Sequence, residues 1–152
     1  MMIRIINNYL KKKQLKKCGD NLILYGNPTI YKGNTISIGD NVKINDGCKL
    51  LGREGSSIII GDRVTLSANV TILSSGYDLE VWIKAKKRVH KPMNTYIGDD
   101  VWICANSTIV GDVKITGKFV VIAAGSVVVS NITEDYCLYA GVPATLVKRF
   151  KY

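Results

Sequence analysis

The stretch Ile97-Gly98-Asp99-Asp100-Val101-Trp102-Ile103-Cys104-Ala105-Asn106-Ser107-Thr108-Ile109 sets an aliphatic residue at every sixth position, and Ile115 extends the series. Its opening recurs upstream as Ile38-Gly39-Asp40-Asn41-Val42-Lys43 and Ile60-Gly61-Asp62-Arg63-Val64-Thr65. A helix repeats its apolar positions about every 3.6 residues and a half-buried strand every second residue, so a period of six marks an internal repeat. Each unit can supply a short strand and a tight corner, and three units close a triangular coil of about eighteen residues. The aliphatic residue points inward. So does the residue four places on, here Val42, Cys48, Val64, Val70, Val101, Ser107 and Val113. Glycine followed by Asp or Asn suits corners that need left-handed or turn geometry. Stacked coils pair their strands and bury a continuous core, which predicts an all-β parallel solenoid.

Working outward, Ile38, Ile44 and Leu50 form one block and Ile60, Leu66 and Ile72 a second, separated by the polar stretch Gly52-Arg53-Glu54-Gly55-Ser56-Ser57. A non-repeating segment, 74–94, precedes the third block. Ile115 to Ile122 is seven residues, a slip of one, and Val128 restores the spacing. Ile30 and Ile36 read as loose early members. Ile3, Ile6, Tyr9 and Leu10 among lysines predict a short amphipathic helix over 2–17, capped by Gly19. The expected plan is one domain over 1–152: a helical segment 1–19, coils over 30–130 broken by a protruding loop at 74–94, and a cap at 131–152.

Hydrophobic residues are 47% of the chain and charged residues 22%, which excludes a disordered chain. No run approaches the roughly 20 apolar residues of a membrane span, and Met1-Met2-Ile3-Arg4 shows no secretory pattern, so the expected location is the cytoplasm. Cys18, Cys48, Cys104 and Cys137 are widely spaced and form no metal-ligand pair; they read as reduced, buried thiols. The net charge is +9. Arg4, Lys11, Lys12, Lys13, Lys16 and Lys17 precede the first acid and read as a solvated helix face. Lys84, Lys86, Lys87, Arg88 and Lys91 surround the sole histidine, His90. This surplus suits a phosphorylated cofactor, an anionic glycan or, at most, a peripheral membrane contact. Nucleic acid is the weakest partner, since no binding motif accompanies the charge.

Ile97-Gly98-Asp99-Asp100-Val101-Trp102-Ile103, then Ala123-Ala124-Gly125-Ser126-Val127-Val128, then Ala140-Gly141-Val142-Pro143-Ala144 together resemble the hexapeptide-repeat acyltransferases, especially the sugar and polysaccharide O-acetyltransferases such as maltose and galactoside acetyltransferases. The resemblance covers residues 36–150. It implies a left-handed parallel β-helix, an exception to right-handed crossovers, and a homotrimer binding acetyl-CoA in clefts between subunits, with no metal. Backbone at Ala105 and Ala124 matches positions facing the pantetheine arm. Val129-Ser130 and Thr145 stand where relatives carry Thr-Lys and Lys or Arg, so Lys148 or Arg149 is expected to meet the CoA phosphates. Asn45 matches an acceptor-binding asparagine, and Trp102 is placed to shield the acyl group or stack on sugar.

The resemblance also exposes a gap. After Val70-Thr71-Ile72, relatives carry a histidine acting as general base, and the ungapped alignment puts Tyr77 there. Phenol is a weak base at neutral pH, whereas imidazole exchanges a proton there. His90 in the same loop is therefore the expected base, oriented by Asp78, with Tyr77 positioning the acceptor. The expected activity is acetyl transfer from acetyl-CoA to a sugar hydroxyl, in bacterial surface polysaccharide assembly. N-acetylation of an amino sugar and a catalytically degenerate structural subunit are the alternatives. One histidine excludes the three-histidine zinc site of the carbonic anhydrase that shares this architecture.

Overall fold

A computed structural model describes the backbone of residues 2–151 and the side chains of residues 8–151. Short strands stack into three parallel sheets that form the sides of a prism. The first face holds Lys17–Cys18, Ile36–Ile38, Ser57–Ile60, Asn94–Ile97 and Lys114–Ile115. The second holds Ile23–Leu24, Lys43–Ile44, Thr65–Leu66, Trp102–Ile103, Val120–Ile122 and Cys137–Gly141. The third holds Thr29–Tyr31, Lys49–Leu51, Thr71–Leu73, Thr108–Ile109 and Val127–Val128.

Register converts the sixfold series into three columns: Ile38, Ile60, Ile97 and Ile115; Ile44, Leu66, Ile103 and Ile122; Leu50, Ile72, Ile109 and Val128. Every one is buried, and so is every expected second inward position. Fully burying such a side chain contributes about 1.5–3 kcal/mol, so the columns dominate the stability of the prism. Ser107, the polar member, donates its hydroxyl to the Ala123 carbonyl at 2.9 Å.

The coils begin at Lys17, earlier than the expected residue 30. Cys18, Leu24 and Ile30 keep the spacing of six, but a cysteine in the first slot hid it. Helix α1 (Met2–Lys13) is correspondingly shorter than expected, and Gly19 belongs to the first coil rather than to a helix cap. The expected apolar positions Ile3 and Ile6 lie outside the described side chains, as does Arg4; Tyr9 and Leu10 are exposed. The basic run is only partly solvated. Lys11 donates to Asn27 Oδ1 (2.5 Å) and the Pro28 carbonyl (2.7 Å), and Lys12 to the Leu22 carbonyl (2.5 Å), fastening α1 to the first coil. Burial pulls the Lys11 ammonium pKa down.

The Gly-Asp pairs work differently from a left-handed turn. The residue with positive φ is the one after them: Asn21, Asn41, Arg63 and Asp100, at 55–57°. A Cβ on Gly19, Gly39 or Gly61 would lie 2.4, 2.2 or 2.4 Å from the carboxylate of Asp40, Asp62 or Asp99 in the next coil. Those carboxylates accept the backbone N–H of Asp20, Asp40 and Asp62 at 2.7, 2.8 and 2.9 Å. Glycine clears the space and aspartate fills it, making a ladder along one edge. The seven-residue slip falls at this corner too, where Phe119 and Tyr136 take positive φ and their rings stack 4.9 Å apart.

At the far end Cys137–Gly141 turns through the cis Val142–Pro143 bond into the antiparallel strand Ala144–Arg149. Neither helix among the described residues is long and apolar enough to cross a membrane. The expectation of four buried thiols is corrected: Cys48 and Cys137 are buried, Cys104 is half-buried and Cys18 is exposed because it lies on the outermost strand of the first face.

Candidate active site

The 74–94 segment leaves the prism between the third and first faces. It is an antiparallel ribbon, Ser75–Tyr77 against His90–Pro92, closed by helix α2 (Leu79–Ala85). The ribbon register opposes Tyr77 to His90, and their rings stack with centroids 4.4 Å apart and planes 25° from parallel. Both rings are exposed. Sequence separation hid this pairing: the residue at the histidine position and the one histidine are cross-strand neighbours. Asp78 is the N-cap of α2, and its carboxylate accepts the Val81 N–H at 3.0 Å. Its local task is to start the helix, and no hydrogen bond joins it to His90 among the described residues.

Two clefts border the ribbon. One, of about 470 Å³, is lined by Tyr77, Asp78, Leu79, Glu80, Lys91 and Met93. The other, of about 390 Å³, is lined by Tyr31, Lys32, Arg53, Glu54, His90 and Pro92. The second was missed in the sequence. Its signal was the polar interruption 52–57, which lies one coil before the 74–94 break and therefore on the same edge.

The other candidate residues lie elsewhere. Asn45, Ala105 and Ala124 follow second-face strands and line the edge between the second and third faces. Neighbouring coils are tied there by Asn106 N–H to the Ala68 carbonyl (3.0 Å) and Gly125 N–H to the Ala105 carbonyl (2.9 Å). Asn45 Nδ2 donates to the Leu66 carbonyl at 2.8 Å. Trp102 projects outward, 52% exposed, and its indole N–H donates to Ser67 Oγ at 3.0 Å. Ser67 of the preceding coil thus fixes the exposed ring.

Val129 and Ser130 are exposed at the fifth coil, after the third face. Thr145, Lys148 and Arg149 are exposed on the returning strand. Arg149 is committed to Glu134 at 2.7 Å. Lys148 lies 5.3 Å from the Phe150 ring centroid and has no carboxylate partner among the described residues, which leaves its charge available to a ligand. Cys104, adjoining Ala105, is half-buried, and burial raises its thiol pKa. One chain therefore carries the histidine loop and the Ala105–Ala124 backbone on two different edges, separated by the whole third face.

No protein-family model matches the sequence. YJL218W of Saccharomyces cerevisiae, named an acetyltransferase, is 36% identical over 140 residues, spanning 91% of this chain and 68% of that protein. A serine acetyltransferase of Staphylococcus epidermidis is 35% identical over 112 residues, 71% of this chain; the match spans about half (49%) of that enzyme's length. Among solved structures, the hexapeptide-repeat acetyltransferase VCA0836 of Vibrio cholerae, complexed with acetyl-CoA, matches 98% of this chain and 79% of its own (TM-score 0.79, 27% identity). A maltose O-acetyltransferase from Clostridium difficile 630 matches 95% of this chain and 75% of its own (TM-score 0.83, 26% identity). A galactoside acetyltransferase in complex with coenzyme A matches 93% and 68% (TM-score 0.82, 27% identity). With those structures the prism shares the left-handed parallel β-helix. The chain belongs to the hexapeptide-repeat acetyltransferases.

Proposed function

We propose that this protein transfers the acetyl group of acetyl-CoA to a hydroxyl of a sugar, in the cytoplasm and in the service of surface polysaccharide assembly. The observation that carries the reading is the Tyr77–His90 stack. The base missing from one ribbon strand is supplied from the other, within ring contact of the position where relatives carry it. The maltose and galactoside acetyltransferases among the structural neighbours support a sugar as acceptor, and the acetyl-CoA bound to VCA0836 and the CoA bound to the galactoside enzyme support the donor.

His90 takes the proton of the acceptor hydroxyl as its oxygen attacks the thioester carbonyl carbon. A tetrahedral intermediate forms, its carbon–sulfur bond breaks, and the proton passes from His90 to the departing CoA sulfur. Tyr77 holds the imidazole plane by stacking and offers its hydroxyl to the acceptor. Backbone at Ala105 and Ala124 borders the pantetheine arm, Trp102 covers the acyl end, and Lys148 meets a CoA phosphate. Because the His90 loop and the Ala105–Ala124 edge lie on different edges of one chain, the working site joins the loop of one subunit to the edge of the next in a homotrimer.

Thiol release from acetyl-CoA, measured on a panel of sugars, tests the assignment. His90→Ala is expected to lower kcat by about 10²–10⁴-fold. Tyr77→Phe, which keeps the ring and loses the hydroxyl, is expected to cost about tenfold or less. Wild-type turnover in His90→Ala overturns the assignment. Acetyl-CoA binding with no transfer to any acceptor would instead favour a structural subunit.

A further inference from the structure

The cleft lined by His90 is built from three successive coils. Tyr31 and Lys32 leave the first, Arg53 and Glu54 the second, and His90 and Pro92 the loop of the third. Its charges are unequally matched. Glu54 is met by Lys32 Nζ and by Asn34 Nδ2, each at 3.4 Å, so the carboxylate and the lysine offset one another. The Arg53 guanidinium has neither an ion pair nor a hydrogen bond among the described residues, although the residue is half-buried. An unpaired guanidinium at the wall of a cleft is a planar fork of donors, matched in shape and charge to a carboxylate or phosphate. In the same cleft, Tyr31 is 57% exposed, an apolar platform with a polar tip that suits the C–H face of a pyranose. A volume of about 390 Å³ lies within the range of small-ligand sites.

From this we infer that the acceptor is an anionic sugar, its carboxylate or phosphate held by Arg53 and its ring lying on Tyr31, with a hydroxyl presented to His90. The inference rests on the acetyltransferase reading for the role of His90. The pocket itself is independent of that reading. Lys91 and the other cations of the loop then raise the local concentration of the acceptor without contacting it.

The test uses glucose, glucuronate and glucose 6-phosphate with the full chain, in two arms: direct binding by saturation-transfer NMR and acetyl transfer from acetyl-CoA. The wild type is expected to favour one charged sugar over glucose, and the identity of that sugar separates carboxylate from phosphate. Arg53→Gln is expected to reduce the charged-to-neutral preference by about tenfold or more, through KM rather than kcat. Arg53→Lys is expected to restore only part of it, since the fork is lost while the charge is kept. Thermal unfolding of each variant confirms that the prism is intact. A wild type that treats glucose and both anions alike, or a preference that survives in Arg53→Gln, overturns the inference. Absence of acetyl transfer to all three counts against the enzymatic reading alone, because the NMR arm still decides the pocket.

Discussion

Cys18 and Cys104 differ from Cys48 and Cys137 in where their coil places them rather than in local sequence. Burial raises the thiol pKa of Cys48, Cys104 and Cys137, which keeps these three in the weakly nucleophilic thiol form. Cys48 also donates to the Ser67 carbonyl at 3.0 Å. Iodoacetamide at neutral pH is therefore expected to label Cys18 first, Cys104 more slowly, and Cys48 and Cys137 only on unfolding, as read by peptide mass spectrometry. The same limit on reading single residues applies to the candidate site. Tyr77 at the place where the resemblance expects a histidine was legible from Val70-Thr71-Ile72, and so was His90 as the candidate to take that role. Their 4.4 Å stack was not, because ribbon register depends on where α2 starts and stops. Asp78 illustrates the competition: a carboxylate read as a partner for imidazole is held by the first turn of a helix. Arg53 was read as part of a polar interruption, since nothing local announces that coil stacking sets it beside His90.

The six-residue unit was legible because its inward positions repeat, and the corner chemistry was legible in residue type but not in cause. The glycines of the first two Ile-Gly-Asp units, Gly39 and Gly61, are required by Asp62 and Asp99 of the next coil, contacts distant along the chain. Gly61→Ala is accordingly expected to destabilise by about 1–3 kcal/mol, through collision with Asp99 and loss of its bond to the Asp62 N–H, measured by urea unfolding. A neighbouring rung responds to pH. Arg63 holds Asp100 by two hydrogen bonds, 2.6 and 2.9 Å, and these keep the Asp100 carboxyl below its ordinary pKa. A carboxyl with a lowered folded pKa stabilises fully above the unfolded value, near pH 4, and loses that contribution as pH falls through the folded value. Asp100→Asn suits the positive φ at this corner, so it isolates the charge. The variant is expected to unfold at a lower urea concentration than wild type at pH 7. The gap should close below about pH 4, and a gap that is constant with pH would assign the effect to packing instead.

At the scale of the molecule, the feature that organises function is the distance between two edges. The loop with Tyr77 and His90 emerges where the third face meets the first, whereas Ala105 and Ala124 lie where the second meets the third, with Trp102 on the second face. A left-handed prism cannot bring these edges together by bending, since every column between them is a packed stack of buried aliphatic side chains. A second copy can, if its loop reaches the neighbour's edge, and a closed three-fold ring repeats the contact at every interface. This arrangement makes a quantitative prediction. His90→Ala removes the base and leaves the donor edge intact, while Ala124→Trp obstructs the donor edge and leaves the loop intact. Each variant alone is expected to be nearly inactive. When the two are unfolded together in equal amounts and refolded, a site works only where an intact loop faces an intact edge. Random assembly then restores about a quarter of wild-type activity. Sites contained within single chains would restore nothing, and simple mixing of the folded variants provides the baseline from which recovery is measured.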